Sequence, residues 1–152
     1  MAETRFAAAV NDWTRATKER MEAVRNMSIE RIVEAAQLMA PVDTGFLRAS
    51  VVGTLGSPPP ATFKPDGEGR YAFDPGPVFA VIAGAQFSDA ITIAWTANYA
   101  RFVEYGARGR PARRFVGMAV QQWPQIVAQA AAELQGNVQG RQAIAVYQGG
   151  AL

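Results

Sequence analysis

Few residues in this 152-residue sequence can do chemistry, and their types narrow the choice. There is no cysteine and no histidine. Disulfides, thiolate metal sites, a cysteine nucleophile and any imidazole acid or base are therefore excluded. Most zinc chemistry goes with them, because its usual ligands are Cys and His. Neither G-x-x-x-x-G-K-[ST] nor G-x-G-x-x-G occurs, so phosphate-loop and dinucleotide chemistry lack their fingerprints. Carboxylates and arginines remain. Asp43 beside Thr44, with Glu104 or Asp89 as a second carboxylate, is a conceivable hydrolase set. Asp and Thr are ordinary cap and turn residues, and nothing in the spacing favours a catalytic pair. No catalytic residue, metal ligand or cofactor is assigned, and the chain reads as a non-enzyme.

The arginines are more informative. Thirteen of the fifteen cations are Arg, the side chain suited to bidentate carboxylate or phosphate pairing and to interfaces. The net charge of +2 is unevenly spread. Residues 41–90 carry three basic and five acidic side chains, whereas residues 91–152 carry six basic and two acidic. Such a pattern can pair copies of the chain head to tail as readily as it can bind nucleic acid. Arg108, Arg110, Arg113 and Arg114 crowd together after Asn98-Tyr-Ala-Arg-Phe-Val-Glu-Tyr-Gly106. That stretch can wind as a short helix with Tyr99, Phe102, Val103 and Gly106 on one face and Arg101, Glu104 and Arg108 on the other. Gly106 is placed to end it in a left-handed cap, and Pro111 prevents simple continuation.

The elements that must position these residues follow from the punctuation. From about Glu3 to Ala40 there is neither Gly nor Pro, which predicts one long helix of about 55 Å at 1.5 Å per residue. Phe6, Val10, Trp13, Thr17, Met21 and Val24 form one apolar stripe. Ile29, Ile32, Val33, Ala36 and Met39 form another, rotated from the first. The second half should pack on the chain's own sheet. For the first half, packing on that sheet and packing on another chain are both open. Pro41 stops the helix, and Asp43 or Thr44 can cap a turn in which Gly45 permits a tight path.

Val51–Leu55, Val78–Ala83 and Ala90–Thr96 are predicted strands, the last two forming a hairpin about residues 86–89. The expected fold is α+β: a small antiparallel sheet of three to four strands, with helices packed on one face. Residues 56–77 hold six of the nine prolines and form a long loop in which Phe63, Tyr71 and Phe73 could anchor a partner. A last helix is expected over 113–134, kinked or restarted at Pro124. Residues 1–135 would form one domain and 136–152 an arm, with Ala143–Tyr147 as an extra strand or a docking segment. No apolar run approaches the roughly 20 residues of a membrane span. The first residues lack a secretory signal's apolar core, so cytosolic synthesis is expected.

Three segments together resemble a known family: Ala40-Pro-Val-Asp-Thr-Gly-Phe-Leu-Arg48, Asn98–Gly106 and Pro111-Ala-Arg-Arg-Phe-Val116. Each is similar to a hallmark of the small neck and tail-completion proteins of long-tailed, lambda-like bacteriophages and prophages. All three occur in the family's order, over roughly residues 20–135. Arg114 stands where many members have proline, and the loop from Gly56 is long. The resemblance implies a structural virion protein of the head–tail junction, assembled in the host cytoplasm, with no membrane partner. It would work as a homo-oligomeric ring, expected to be hexameric, around the DNA channel. Its neighbours would be a head-side adaptor or stopper and a tail terminator or tail tube. A stopper or terminator ring, and more remotely a nucleic-acid-binding module using Arg101 to Arg114, are the alternatives. The assembly surface expected on this reading comprises Asp43, Thr44, Arg48, Phe63, Tyr71, Tyr99, Arg101, Glu104, Tyr105, Arg108, Arg110, Arg113 and Arg114. Of these, Arg108, Arg110 and Arg113 would border the channel and touch passing DNA.

Overall fold

The computed structural model describes residues 1–63 and 69–149. The chain runs α1 (Ala2–Met39), α2 (Phe46–Ala49), β1 (Val51–Leu55), α3 (Gly76–Gly84), β2 (Ile91–Trp95), α4 (Ala100–Tyr105), α5 (Phe115–Gln121) and α6 (Trp123–Gly149). The long first helix is present as expected. It ends where Ala40 turns to extended backbone (φ −64°, ψ 129°), the conformation a residue before proline prefers. Only its second half is drawn into the core, through Ser28, Val33, Ala36 and Gln37.

Two apolar clusters flank that half. Val33 meets Val51, Val78 and Ile82 on one side. Ala36 and Ala40 meet Phe46, Leu47, Ala97, Ala100, Phe115 and Ala119 on the other. Small side chains on the helix let α5 approach closely, and the edge-on Trp95–Phe115 pair (centroids 5.5 Å apart) ties that helix to the sheet.

The sheet has two strands, not three to four. β1 and β2 pair antiparallel with Val51 opposite Trp95 and Leu55 opposite Ile91. The expected strand Val78–Ala83 is instead the body of α3. Asp74 Oδ1 accepts the Gly76 N–H at 2.9 Å, and Pro77 occupies the helix's first turn, where its missing N–H costs nothing. A short run that is apolar on all sides carries no period, so these start signals decide its form. The long loop is pinned to the sheet's end: Thr62 donates its N–H to Thr96 O (2.6 Å) and accepts from Asn98 N–H (2.9 Å). Residues 64–68 of that loop lie outside the described residues.

The last helix is broken into α5 and α6 at Gln122, two residues before Pro124, as expected of a restart there. It does not stop near 135. Its backbone stays helical through Ala143–Tyr147 to Gly149, so the expected strand or separate arm is a helix continuation. A glycine inside a helix costs only about 1 kcal/mol, so Gly136 and Gly140 weaken α6 without ending it, and the Ala, Gln and Leu before them favour helix. Arg31 of α1 pairs with Glu133 of α6 and fixes the two helices' register.

Candidate assembly surface

The turn after α1 is built from its own backbone demands. Gly45 has φ +86°, and a Cβ there would lie 2.1 Å from Tyr71 O. Only glycine lets the returning loop close on the turn, where Tyr71 N–H donates to Thr44 O at 2.9 Å. Arg48 then reaches back to the end of α1. Its Nε and Nη2 donate to Ala40 O at 3.1 and 2.8 Å, and Nη2 also reaches Leu38 O at 3.4 Å. A cation on the last carbonyls satisfies groups the helix cannot pair itself and complements its dipole. Gln37 Nε2 donates to Arg48 O at 2.9 Å and closes the clasp. Thr44 and Arg48 are thus engaged within the chain, whereas Asp43 is exposed and makes no hydrogen bond or ion pair among the described residues.

Tyr71 and Tyr99 both pack on Phe46, with ring centroids 5.1 and 6.2 Å away. Burial raises the Tyr99 phenol above its usual range, and the nearby Asp43 charge adds to the rise. The predicted aromatic face of α4 is split. Tyr99 and Val103 face the core, but Phe102 and Tyr105 project to solvent at 59% and 74% exposure. Ala100 takes the central buried place of α4, in the same cluster as Phe46 and Phe115.

Past α4 the chain turns sharply. Gly106 ends the helix as expected, though with φ +79° and ψ 156°, outside the left-handed helical region. A Cβ there would meet Arg110 O at 2.8 Å. Ala107 and Arg110 exchange both backbone hydrogen bonds (3.2 and 2.9 Å) across Arg108 (φ +48°) and Gly109 (φ +77°). Two successive positive φ values match a tight primed hairpin turn, usually Asn-Gly. Arg113 and Arg114 then donate their N–H groups to Val103 O (2.8 Å) and Glu104 O (3.1 Å).

Glu104 completes this joint. Its two carboxylate oxygens accept the Val116 N–H (3.0 Å) and Gly117 N–H (2.9 Å). It is a remote cap for α5, placing negative charge where unpaired donors and the helix dipole favour it. Spacing on α4 alone gave no hint of this role. The P-A-R-R-F entry to the next helix, beginning seven residues on, was the only available signal.

Between the turn and the hairpin lies an open groove of about 910 Å³. Pro41, Tyr99, Phe102, Val103, Ala107 and Pro111 supply apolar lining, and Arg108, Arg110 and Arg113 supply charge. Among the described residues no carboxylate lines it. None of these arginines forms an ion pair among the described residues, where the pairs are Arg15–Asp12 and Arg31–Glu133. The groove therefore gathers four of the expected surface residues: Tyr99, Arg108, Arg110 and Arg113. Asp43 neighbours Tyr99, while Phe63, Arg101, Tyr105 and Arg114 are exposed outside the groove. Pro41, Phe102, Val103, Ala107 and Pro111 also line the groove and were not in the expected surface. Among the described residues no cluster of three Asp or Glu could hold a metal ion, and no helix is long and apolar enough to cross a membrane.

A long helix on a minimal antiparallel sheet, with its polar motif residues spent on holding turns, defines a small α+β domain. The chain belongs to the family described as "Bacteriophage HK97-gp10, putative tail-component", whose model matches residues 4–106. No curated protein and no solved structure matches it significantly.

Proposed function

We propose that this chain is a virion subunit of the phage neck or tail end, forming a homo-oligomeric ring that joins tail to head. The observation that carries this reading is what the fold leaves over. Thr44, Arg48 and Glu104 fasten the chain internally, whereas a basic groove and the front of a long helix face solvent unpaired. An unpaired set of arginines beside exposed aromatics suits an interface with carboxylates of a neighbouring subunit. The ring, with six-fold symmetry the working expectation, would meet a head-side adaptor or stopper and the tail terminator or tube. The subunit would be assembled in the host cytoplasm and enclose the DNA channel. The groove arginines would touch DNA only in passing, because each neutralised phosphate adds about 0.9 to the salt slope and a ring of free arginines would grip the duplex.

Electron microscopy of particles made without this chain tests the reading. Separate filled heads and finished tails are expected, and labelled protein supplied in trans should restore joining and mark the junction. Normal joined particles would refute it. The groove's three arginines also favour one competing reading, a dedicated DNA binder. That reading predicts a mobility shift surviving about 0.15 M salt.

A further inference from the structure

Two surfaces lack a partner within the described residues, and they differ in kind. One is the arginine-bearing groove beside Pro41. The other is the N-terminal third of α1, where residues 1–15 are exposed throughout. Phe6 and Trp13 are 73% and 68% exposed, and Val10 is exposed between them. At 100° per residue these three share one narrow face, at i, i+4 and i+7. The Thr14 and Thr17 hydroxyls donate back to Val10 O (2.9 Å) and Trp13 O (2.8 Å), which removes their donors from the edge of that stripe. Glu3, one turn ahead of Phe6 on the stripe's flank, makes no ion pair or side-chain hydrogen bond among the described residues.

We propose that the Phe6–Val10–Trp13 stripe of one copy fills the groove of the next copy, so that subunits join head to tail through α1. The proposal deepens the ring reading above and rests on it. Anchors at i, i+4 and i+7 are the signature of an amphipathic helix laid into a groove. A space of about 910 Å³ lies in the range that accepts several such side chains. The apolar lining matches the anchors, and the groove's arginines, which have no acidic partner among the described residues, match Glu3.

The same chain cannot make this contact. Phe6 and Pro41 stand at opposite ends of one unbroken helix, about 50 Å apart at 1.5 Å per residue. DNA as occupant would pair the arginines but leave Tyr99, Phe102, Val103 and Pro111, and the whole stripe, in water. A contact joining two different surfaces is heterologous, the kind that closes a ring when the rotation allows.

The test uses two full-length variants. Phe6→Ala/Trp13→Ala removes the stripe and keeps the groove. Phe102→Ala/Arg110→Glu alters the groove and keeps the stripe. All four positions are exposed, so circular dichroism should match the wild type. By sedimentation velocity each variant alone should be monomeric under conditions where the wild type assembles. Mixed in equal amounts they should form a heterodimer and nothing larger, since one intact stripe then meets one intact groove. Wild-type-like assembly of either variant, or a mixture that stays monomeric, overturns the proposal.

A second arm separates this inference from the ring reading. The chain has no cysteine, so an Ala9→Cys/Ala107→Cys variant carries the only thiols. A short bifunctional thiol cross-linker should give a ladder of covalent multimers from assembled protein. Assembly without a ladder overturns the groove contact and leaves the ring standing. A wild-type chain that is monomeric at high concentration and absent from particles overturns both.

Discussion

Glu104 shows how one side chain can look like a site and act as a fastener. With both oxygens on α5 N–H groups, it has little capacity left for a neighbour's arginine. Glu104→Ala should therefore destabilise the isolated monomer by about 1–2 kcal/mol, read as a lower urea midpoint, with Glu104→Gln intermediate. If the monomer is unaffected and only assembly fails, Glu104 belongs to the interface instead. Arg108 gives the opposite case. Its φ of +48° is tolerable but unfavourable for a long side chain. Arg108→Asn should stabilise the monomer, by up to about 1 kcal/mol, while weakening assembly. Glu30 supplies a pH signature. Burial, with Glu34 nearby, raises its carboxyl above the usual range. A raised carboxyl contributes stability below the unfolded value near pH 4.3, and that contribution is lost as pH rises through the folded value. Glu30→Gln should then have the higher Tm at pH 7, with the difference vanishing below about pH 4.

At the scale of elements, helices announced by missing glycine and proline were legible, and so were the stops at Pro41, Gly106 and Pro124. β1 and β2 were legible from branched residues in short bounded runs. Val78–Ala83 was not, because its helical form depends on Asp74 and Pro77 just upstream and not on any period within it. Helix continuation past Gly136 and Gly140 was hidden for a related reason: at about 1 kcal/mol each, isolated glycines weaken a helix too little to end it. The surface was only partly legible. The arginine cluster and the turn were found, but Phe102 was placed with Tyr99 and Val103 because wheel geometry ignores how close Phe46 and Phe115 come. The clasp of Arg48 on α1 carries a prediction at this scale. Arg48→Lys keeps the charge but cannot bridge the Leu38 and Ala40 carbonyls with one planar group. It should cost about 1 kcal/mol in urea unfolding and speed amide exchange in the last turn of α1.

For the whole molecule, what the fold buries and what it leaves exposed lie on different parts of one helix. Every buried residue of α1 lies at Ser28 or beyond, and the two clusters gather around that half. The first third is exposed throughout among the described residues, so on the proposed contact its order would serve a neighbouring copy. Unfolding surface sets the denaturant m-value, and a segment already in water adds little to it. Deletion of residues 2–14 should leave the monomer's urea midpoint within about 0.5 kcal/mol of the full chain's stability. Association that favours the folded state raises Tm with protein concentration. The full chain should therefore show a Tm that climbs on concentration, and the shortened chain a Tm that does not. A shortened chain that unfolds at much lower urea would put the helix's front third in the fold's own core. A shortened chain whose Tm still climbs would place self-association on some other face.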